Sequence, residues 1–320
     1  NEVANLNSFV QERVSGMSFL QLFAREKKEY DYLFTIDDSV ASLLETTVSL
    51  HPYGFLRRYG TPIVSDFFIL YEGPHGFFDE DEEKVSYDDL RKEPLKQTNA
   101  NADGGWISFN DKYWLAALLP DQTVRQTYRY REIGENEDRY QVEFVHSQGI
   151  KLMAGGSVSN STKLFVGAKK LSLLDKYAQE LGVPRFDLAI DFGVLYLITK
   201  PFFYAINWLF GLFGNFGLAV MAFTVLVKLV FFPLANKSYH SMAKMRLLAP
   251  KLQTLRERFG DDRMKLNQEM MALYKAEKVN PAAGCLPVLL QIPVFFALYK
   301  VLFVTIEMRH APFFGWIADL

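Results

Sequence analysis

The stretch Phe216–Phe232, FGLAVMAFTVLVKLVFF, decides the reading of this chain. It is apolar enough to cross a membrane, and Lys228 is its only charge. A charge at that depth costs about 2.5 to more than 10 kcal/mol, so it either faces a wet cavity that marks function or escapes to an interface. Escape is geometrically open: Pro233 lies five residues on, about 7–8 Å at 1.5 Å per residue, which a lysine stem nearly covers. Gly214 and Asn215 open the run and Pro233 closes it. The apolar run between them covers about 25 Å, short of the roughly 30 Å of a typical hydrocarbon core. A span that short implies local thinning or company from other helices.

Downstream, Gly284–Ile306, GCLPVLLQIPVFFALYKVLFVTI, reads as a second span. Pro287, Gln291 and Pro293 interrupt it and Lys300 lies near its far end. Proline is tolerated in such helices where neighbours or water satisfy the freed backbone groups. Between the two spans, residues 236–279 read as a polar helical hairpin. Met242, Met245, Leu248, Leu252, Leu255 and Phe259 recur at three- and four-residue steps, as a coiled-coil seam does. Leu266, Met270, Leu273 and Tyr274 supply a matching stripe. Gly260 ends the first helix, Asp261 caps the second, and Pro250 is expected to kink the first.

Upstream, Asp187–Phe213 is long and apolar, but Asp191, Lys200, Pro201 and Asn207 break it. Tyr196, Tyr204 and Trp208 suit the headgroup level, so the segment reads as an amphipathic helix lying at the interface. Charge supports this. Residues 1–227 carry 22 Lys+Arg against 30 Asp+Glu, a net of −8, whereas residues 233–283 carry ten against five, a net of +5. Basic segments between spans stay in the cytoplasm; one crossing after an exported acidic domain puts the basic hairpin there, and two would put it outside.

Residues 30–170 read as short strands: Tyr32–Ile36, Val64–Tyr71, Trp114–Leu119, Tyr128–Arg131, Tyr140–Val145 and Lys163–Val166. Gly73-Pro74, Gly104-Gly105 and Gly134–Asn136 read as turns, with a hairpin around Gly134–Asp138, and Asp79–Glu83 and Glu93–Asp103 as solvated loops. Strands without alternating helices argue for a β-sandwich. A helix over Leu171–Leu181 closes this part.

Much chemistry is excluded. The lone Cys285 allows no internal disulfide and no CxxC pair. The five histidines lack metal-ligand spacing, and neither a nucleophile elbow nor a phosphate loop is present. Gly211, Gly214 and Gly217 serve helix entry or close packing rather than a nucleotide. No enzyme activity, catalytic residue, metal or cofactor is expected.

The segments NFGLAVMAFTVLVKLVFFPLANKSYHSMAKM (215–245) and NPAAGCLPVLLQIPVFFALYKVLFVTIEMRHAPFFGWI (280–317) resemble the YidC membrane-protein insertases, with mitochondrial oxidase-assembly and chloroplast Albino-type proteins as wider relatives. HPYGFLRRYGTP (51–62) and GGWISFNDKYWLAALLP (104–120) are similar to the large periplasmic domain of Gram-negative members. The resemblance implies an α+β multidomain membrane protein of the bacterial inner membrane. Its parts would be a periplasmic β-super-sandwich (1–185), an interfacial amphipathic helix (186–213), a transmembrane helix (214–233), a cytoplasmic helical hairpin (234–283), a second transmembrane helix (284–306) and a periplasmic segment (307–320).

It further implies a chaperone and insertase for nascent membrane proteins, working alone or with the Sec translocon and its accessory subunits. A hydrophilic groove would hold Lys228, where many members have Arg, with Thr224 and Gln291 beside it. Substrate would leave along Val294, Phe295, Leu298 and Leu302 into membrane lipid. The hairpin, with Lys244, Arg246, Lys251, Arg256 and Arg258, would receive substrate from the ribosome or the signal-recognition machinery. The family carries three further core spans and an N-terminal anchor, so the chain reads as a fragment that by itself is not a competent insertase. Two other readings remain at the sequence level: a transporter or channel, which also uses broken spans and a buried charge, and a membrane-tethered carbohydrate-binding sandwich using Trp106, Tyr113 and Trp114.

Overall fold

A computed structural model describes residues 32–41, 47–61, 70–97, 102–134, 138–259, 262–277, 279, 286–309 and 311–317. Contacts divide the chain into a sheet-rich unit ending at Ala189 and a helical unit beginning at Ile190. The boundary falls four residues beyond the one read from sequence at 185. A 3-10 turn, Phe186–Ala189, belongs to the sheets because Phe186 packs on Trp106 and Phe165, with ring centroids 5.5 and 5.7 Å apart.

In chain order the strands are β1 Tyr32–Ala41, β2 Val48–Leu50, β3 Tyr53–Tyr59, β4 Gly73–Phe78, β5 Asp81–Lys84, β6 Leu95–Gln97, β7 Ala102–Asp103, β8 Trp106–Asn110, β9 Trp114–Leu119, β10 Arg125–Glu132, β11 Arg139–His146, β12 Ile150–Leu152 and β13 Ser157–Ala168. One six-stranded sheet runs β1-β13-β9-β8-β4-β5. A second runs β3-β11-β10-β6, with β7 also on β10, and β2 pairs β12. The two main sheets share one core. Ile107, Phe109, Leu118, Leu164 and Val166 of the first meet Tyr128, Tyr130, Tyr140, Val142 and Phe144 of the second. On β11 the residues between these, Gln141 and Glu143, point to the opposite face, as the two-residue repeat of a strand requires.

The first sheet is covered on its other side too. Helix α2 (Leu171–Leu181), which follows β13, lies on that side, whereas helix α1 (Tyr87–Lys92), which follows β5, adds Tyr87 and Leu90 to the shared core. Tyr177 of α2 meets Phe165, with centroids 5.9 Å apart, and the indole N–H of Trp106 donates to the Pro184 carbonyl at 3.1 Å. Burial on both faces explains why β8, Trp106–Asn110, is buried at every residue. It also removes Trp106 as a sugar platform, since its ring is fully enclosed.

Three local expectations are corrected. Gly73-Pro74 is the start of β4 rather than a turn, a position at which a strand tolerates proline. The Tyr71 hydroxyl fixes it by donating to the Pro74 and Val85 carbonyls at 2.5 and 2.8 Å. Only Asp79 and Glu80 of the acidic run form a turn, both with positive φ; Asp81–Lys84 is the edge strand β5. Two of its acids are paired: Glu82 with His75 and Lys84 at 3.0 Å each, and Glu83 with Lys96 at 2.8 Å. Within Glu93–Asp103, the described residues include β6 and β7. The strand expected at Val64–Tyr71 lies outside the described residues up to 69, and Leu70 and Tyr71 are not in a strand. The hairpin tip at 135–137, Gly260, Asp261 and Cys285 also lie outside the described residues.

The helical unit consists of α3 (Tyr196–Phe213), α4 (Phe216–Phe259), α5 (Arg263–Ala276) and α6 (Leu286–Val304). Pro233 does not end the first apolar helix. α4 runs unbroken for 44 residues, with Pro233 and Pro250 inside it, so the span and the first arm of the hairpin are one element. Asp262, not Asp261, caps α5: its carboxylate accepts the Lys265 N–H at 3.0 Å.

Candidate functional site

Among the described residues two helices are long and apolar enough to cross a membrane, α4 and Pro287–Val304 of α6. Only 11% and 17% of their apolar windows are buried inside the protein, which is far too little for the core helices of a soluble domain. α3 is not among them; it buries Thr199, Phe203, Ile206 and Leu209 along one face and exposes Leu197, Trp208 and Leu212.

The start of α4 is built by two residue types. Gly214 takes the left-handed conformation that closes α3, with its N–H on the Phe210 carbonyl at 2.7 Å. Asn215 then accepts the Leu218 N–H at 3.1 Å and donates to the Pro312 and Phe313 carbonyls at 3.3 and 3.2 Å. Gly217 leaves room for the Phe313 ring, with which an added Cβ would overlap. The start of α4 and the segment after α6 are therefore fixed at one end of the helical unit.

From there α4 packs through Phe216, Ala219 and Phe223. At 100° per residue Lys228 lies about 140° round the helix from Phe223, on the unpacked side. It is exposed and makes no ion pair among the described residues. Thr224 stands one turn before it on the same side, with its hydroxyl donating to the Val220 carbonyl at 2.8 Å. On α6, Ala297, Val301 and Val304 form the buried face. Gln291, Val294, Phe295, Leu298 and Leu302 occupy a single side of that helix, half-buried to exposed. The structure thus brings Thr224 together with Lys228, and Gln291 together with the apolar stripe. No hydrogen bond joins Gln291 to Lys228 among the described residues.

In the hairpin, Leu248 is buried and Met242, Met245, Leu252, Leu255 and Phe259 are half-buried, while Leu266, Met270, Leu273 and Tyr274 are the half-buried residues of α5. Lys244, Arg246, Lys251, Arg256 and Arg258 are all exposed. Lys251 is bound to Glu277 at 2.6 Å, an ion pair that joins the two arms. Sequence reasoning missed this pair, the Asn215 lock and a further ion pair, Asp191 to Lys300 at 2.7 Å. The signal for the last was present but unread: one acid and one lysine, each interrupting an otherwise apolar stretch.

Residues 208–320 match the family described as 60Kd inner membrane protein, and residues 15–205 match the YidC periplasmic domain. The chain belongs to the YidC family. It is 48% identical over 311 residues to the membrane protein insertase YidC of Granulibacter bethesdensis, covering 96% of this chain and 53% of that protein. The membrane protein insertase YidC of Beijerinckia indica is 47% identical over 290 residues, covering 90% of this chain and 48% of its own. That of Rickettsia canadensis is 45% identical over 307 residues, covering 95% and 54%. The chain thus spans about half the length of these YidC relatives. Membership makes the sheet-rich unit the periplasmic domain and the helical unit part of the inner-membrane region of a YidC-type protein.

Proposed function

We propose that this chain is part of an insertase that moves nascent membrane proteins into the bacterial inner membrane, with Lys228 as the charge that draws acidic or polar substrate segments inward. The observation that carries the reading is an exposed lysine, without an ion pair among the described residues, on an apolar helix of a YidC-family chain. A polar segment crosses hydrocarbon at high cost; a wet groove partway through lowers that cost. A fixed positive charge attracts carboxylates there more strongly than in bulk water, because screening is weaker.

In this reading residues 214–233 cross the membrane once, 186–213 lie at the periplasmic interface, 234–283 stand in the cytoplasm, and 284–306 return. Thr224 and Gln291 add polar groups to the groove. The substrate's apolar helix leaves along Val294, Phe295, Leu298 and Leu302, driven by partition into lipid. The hairpin, through Lys244, Arg246, Lys251, Arg256 and Arg258, takes substrate from the ribosome or the signal-recognition machinery, and the Sec translocon and its accessory subunits act beside it. No covalent step or cofactor enters.

In the full-length protein, Lys228→Ala is expected to lower insertion of substrates with an acidic translocated tail about tenfold, one fixed charge in a partly wet site being worth about 1–2 kcal/mol. Lys228→Arg keeps it. Equal insertion by wild type and Lys228→Ala, scored by protease protection of the tail, would remove the groove-charge reading.

A further inference from the structure

Two lysines interrupt the two apolar helices, and they are handled in opposite ways. Lys228 is exposed. Lys300 is bound through Nζ to Asp191 Oδ2 at 2.7 Å, and the two side chains are only 12% and 9% exposed. The other carboxylate oxygen of Asp191 accepts the Gly193 N–H at 3.2 Å. Gly193 has φ +67, and even a Cβ added there would stand 3.6 Å from Lys300 Cε and Nζ. The turn leading into α3 therefore presents the carboxylate and leaves space for the ammonium. On α6, Lys300 lies about 200° round the helix from both Leu298 and Leu302, away from the apolar stripe.

The depths of the two lysines differ as well. Asn215 ties the start of α4 to Pro312 and Phe313, after α6, so both helices have an end on that side of the helical unit. Lys300 is four residues, about 6 Å, from the end of its own helix, and Lys228 is twelve, about 18 Å, from the start of its own. A bare ammonium at Lys300 would be a second positive target, closer to a helix end than Lys228 is. Paired with Asp191 it has no net charge, and the field of the pair dies away faster than that of a single ion.

We propose that Asp191 is a specificity-determining residue: it silences Lys300, so that an acidic substrate segment is drawn to Lys228 and not to a second charge at the mouth of the same helices. The inference rests on the proposed role of Lys228, but its test does not.

In the full-length protein, a photocrosslinking phenylalanine analogue replaces Phe296, which is 61% exposed and one helical turn before Lys300. Crosslinking to stalled substrates with an acidic or a neutral translocated segment is then compared. Asp191→Asn should raise the acidic-to-neutral ratio about threefold or more, as expected of an uncovered charge that attracts its opposite. Adding Lys300→Met should return the ratio to wild type. Asp191→Asn/Lys300→Met should also insert acidic substrates as the wild type does. A ratio unmoved by Asp191→Asn, or a shift of more than about twofold in the doubly neutral variant, overturns the proposal. If Asp191→Asn fails to accumulate, restoration by Lys300→Met supports it and persistence of the defect refutes it. Failure of Lys228→Ala to impair insertion would sink the groove-charge reading and the part of the inference that rests on it, whereas the crosslink ratio separately reads whether Asp191 silences Lys300.

Discussion

His75 is fully enclosed in the sheet-rich unit, between the Trp106 ring, with centroids 4.9 Å apart in a T-shaped contact, and the Glu82 carboxylate at 3.0 Å. Burial pulls its pKa below the usual imidazole value, against the opposing pull of Glu82. His146 is lowered for the same first reason. An unfolded histidine takes up a proton near pH 6.5, before either folded one does, so stability falls as pH drops through that value. The slope is at most about 1.4 kcal/mol per pH unit per histidine. Thermal melts should show a lower midpoint at about pH 5 than at about pH 7.5, and His75→Gln should flatten that dependence; a midpoint rising on acidification would contradict it. Glu143 makes a second test. Its buried carboxylate accepts the Tyr53 hydroxyl at 2.7 Å, lies 3.1 Å from Arg131 and 3.6 Å from Arg129, and is also bonded by Gln141. Burial, then this bond, raises the Tyr53 phenol well above its usual value. Glu143→Ala should cost about 1–3 kcal/mol in urea melts, the arginines' own exposure keeping the loss moderate. An unchanged midpoint would mean that water replaces the carboxylate freely.

At the scale of elements, α4 joins two roles in one helix. Its first turns are fixed by Asn215 and by the Phe313 ring over Gly217. Its last turns carry the seam to α5, closed by Lys251 and Glu277. Proline inside a helix removes one hydrogen bond and crowds the carbonyl four residues back, at roughly 3 kcal/mol. α4 carries two such sites, at Pro233 and Pro250, and the Thr254 hydroxyl donates to the Pro250 carbonyl at 3.1 Å. Deleting 240–275 should leave the apolar helices inserted but lower the delivery of nascent substrates about fivefold or more, read as ribosome-dependent insertion in vesicles. Normal delivery after the deletion would remove the receiving role from the hairpin.

Over the whole molecule, legibility followed the range of the interactions. The apolar runs, the seam residues and α2 were visible because each is a local period. β5 was hidden because Asp81–Lys84 has poor strand propensity; its place comes from β4, His75 and Lys96, which neighbouring residues do not reveal. The continuation through Pro233 was hidden because a proline after an apolar run is also how helices stop. Within the candidate site, Lys228 was legible as the lone charge of its run, whereas Asp191 and Lys300 each show as an interruption of an apolar stretch but, 109 residues apart, give no local sign that they meet. The unbroken α4 has a mechanical consequence. Its 44 residues make a rod of about 66 Å, anchored at Asn215 and softest where Pro233 interrupts the hydrogen-bond ladder. From Pro233 to Phe259 the free arm is about 39 Å, so a bend of about 5° there swings the tip by about 3 Å. Lys228 lies on the anchored side of that pivot and scarcely moves. The arm can swing through several ångströms while Lys228 keeps its place.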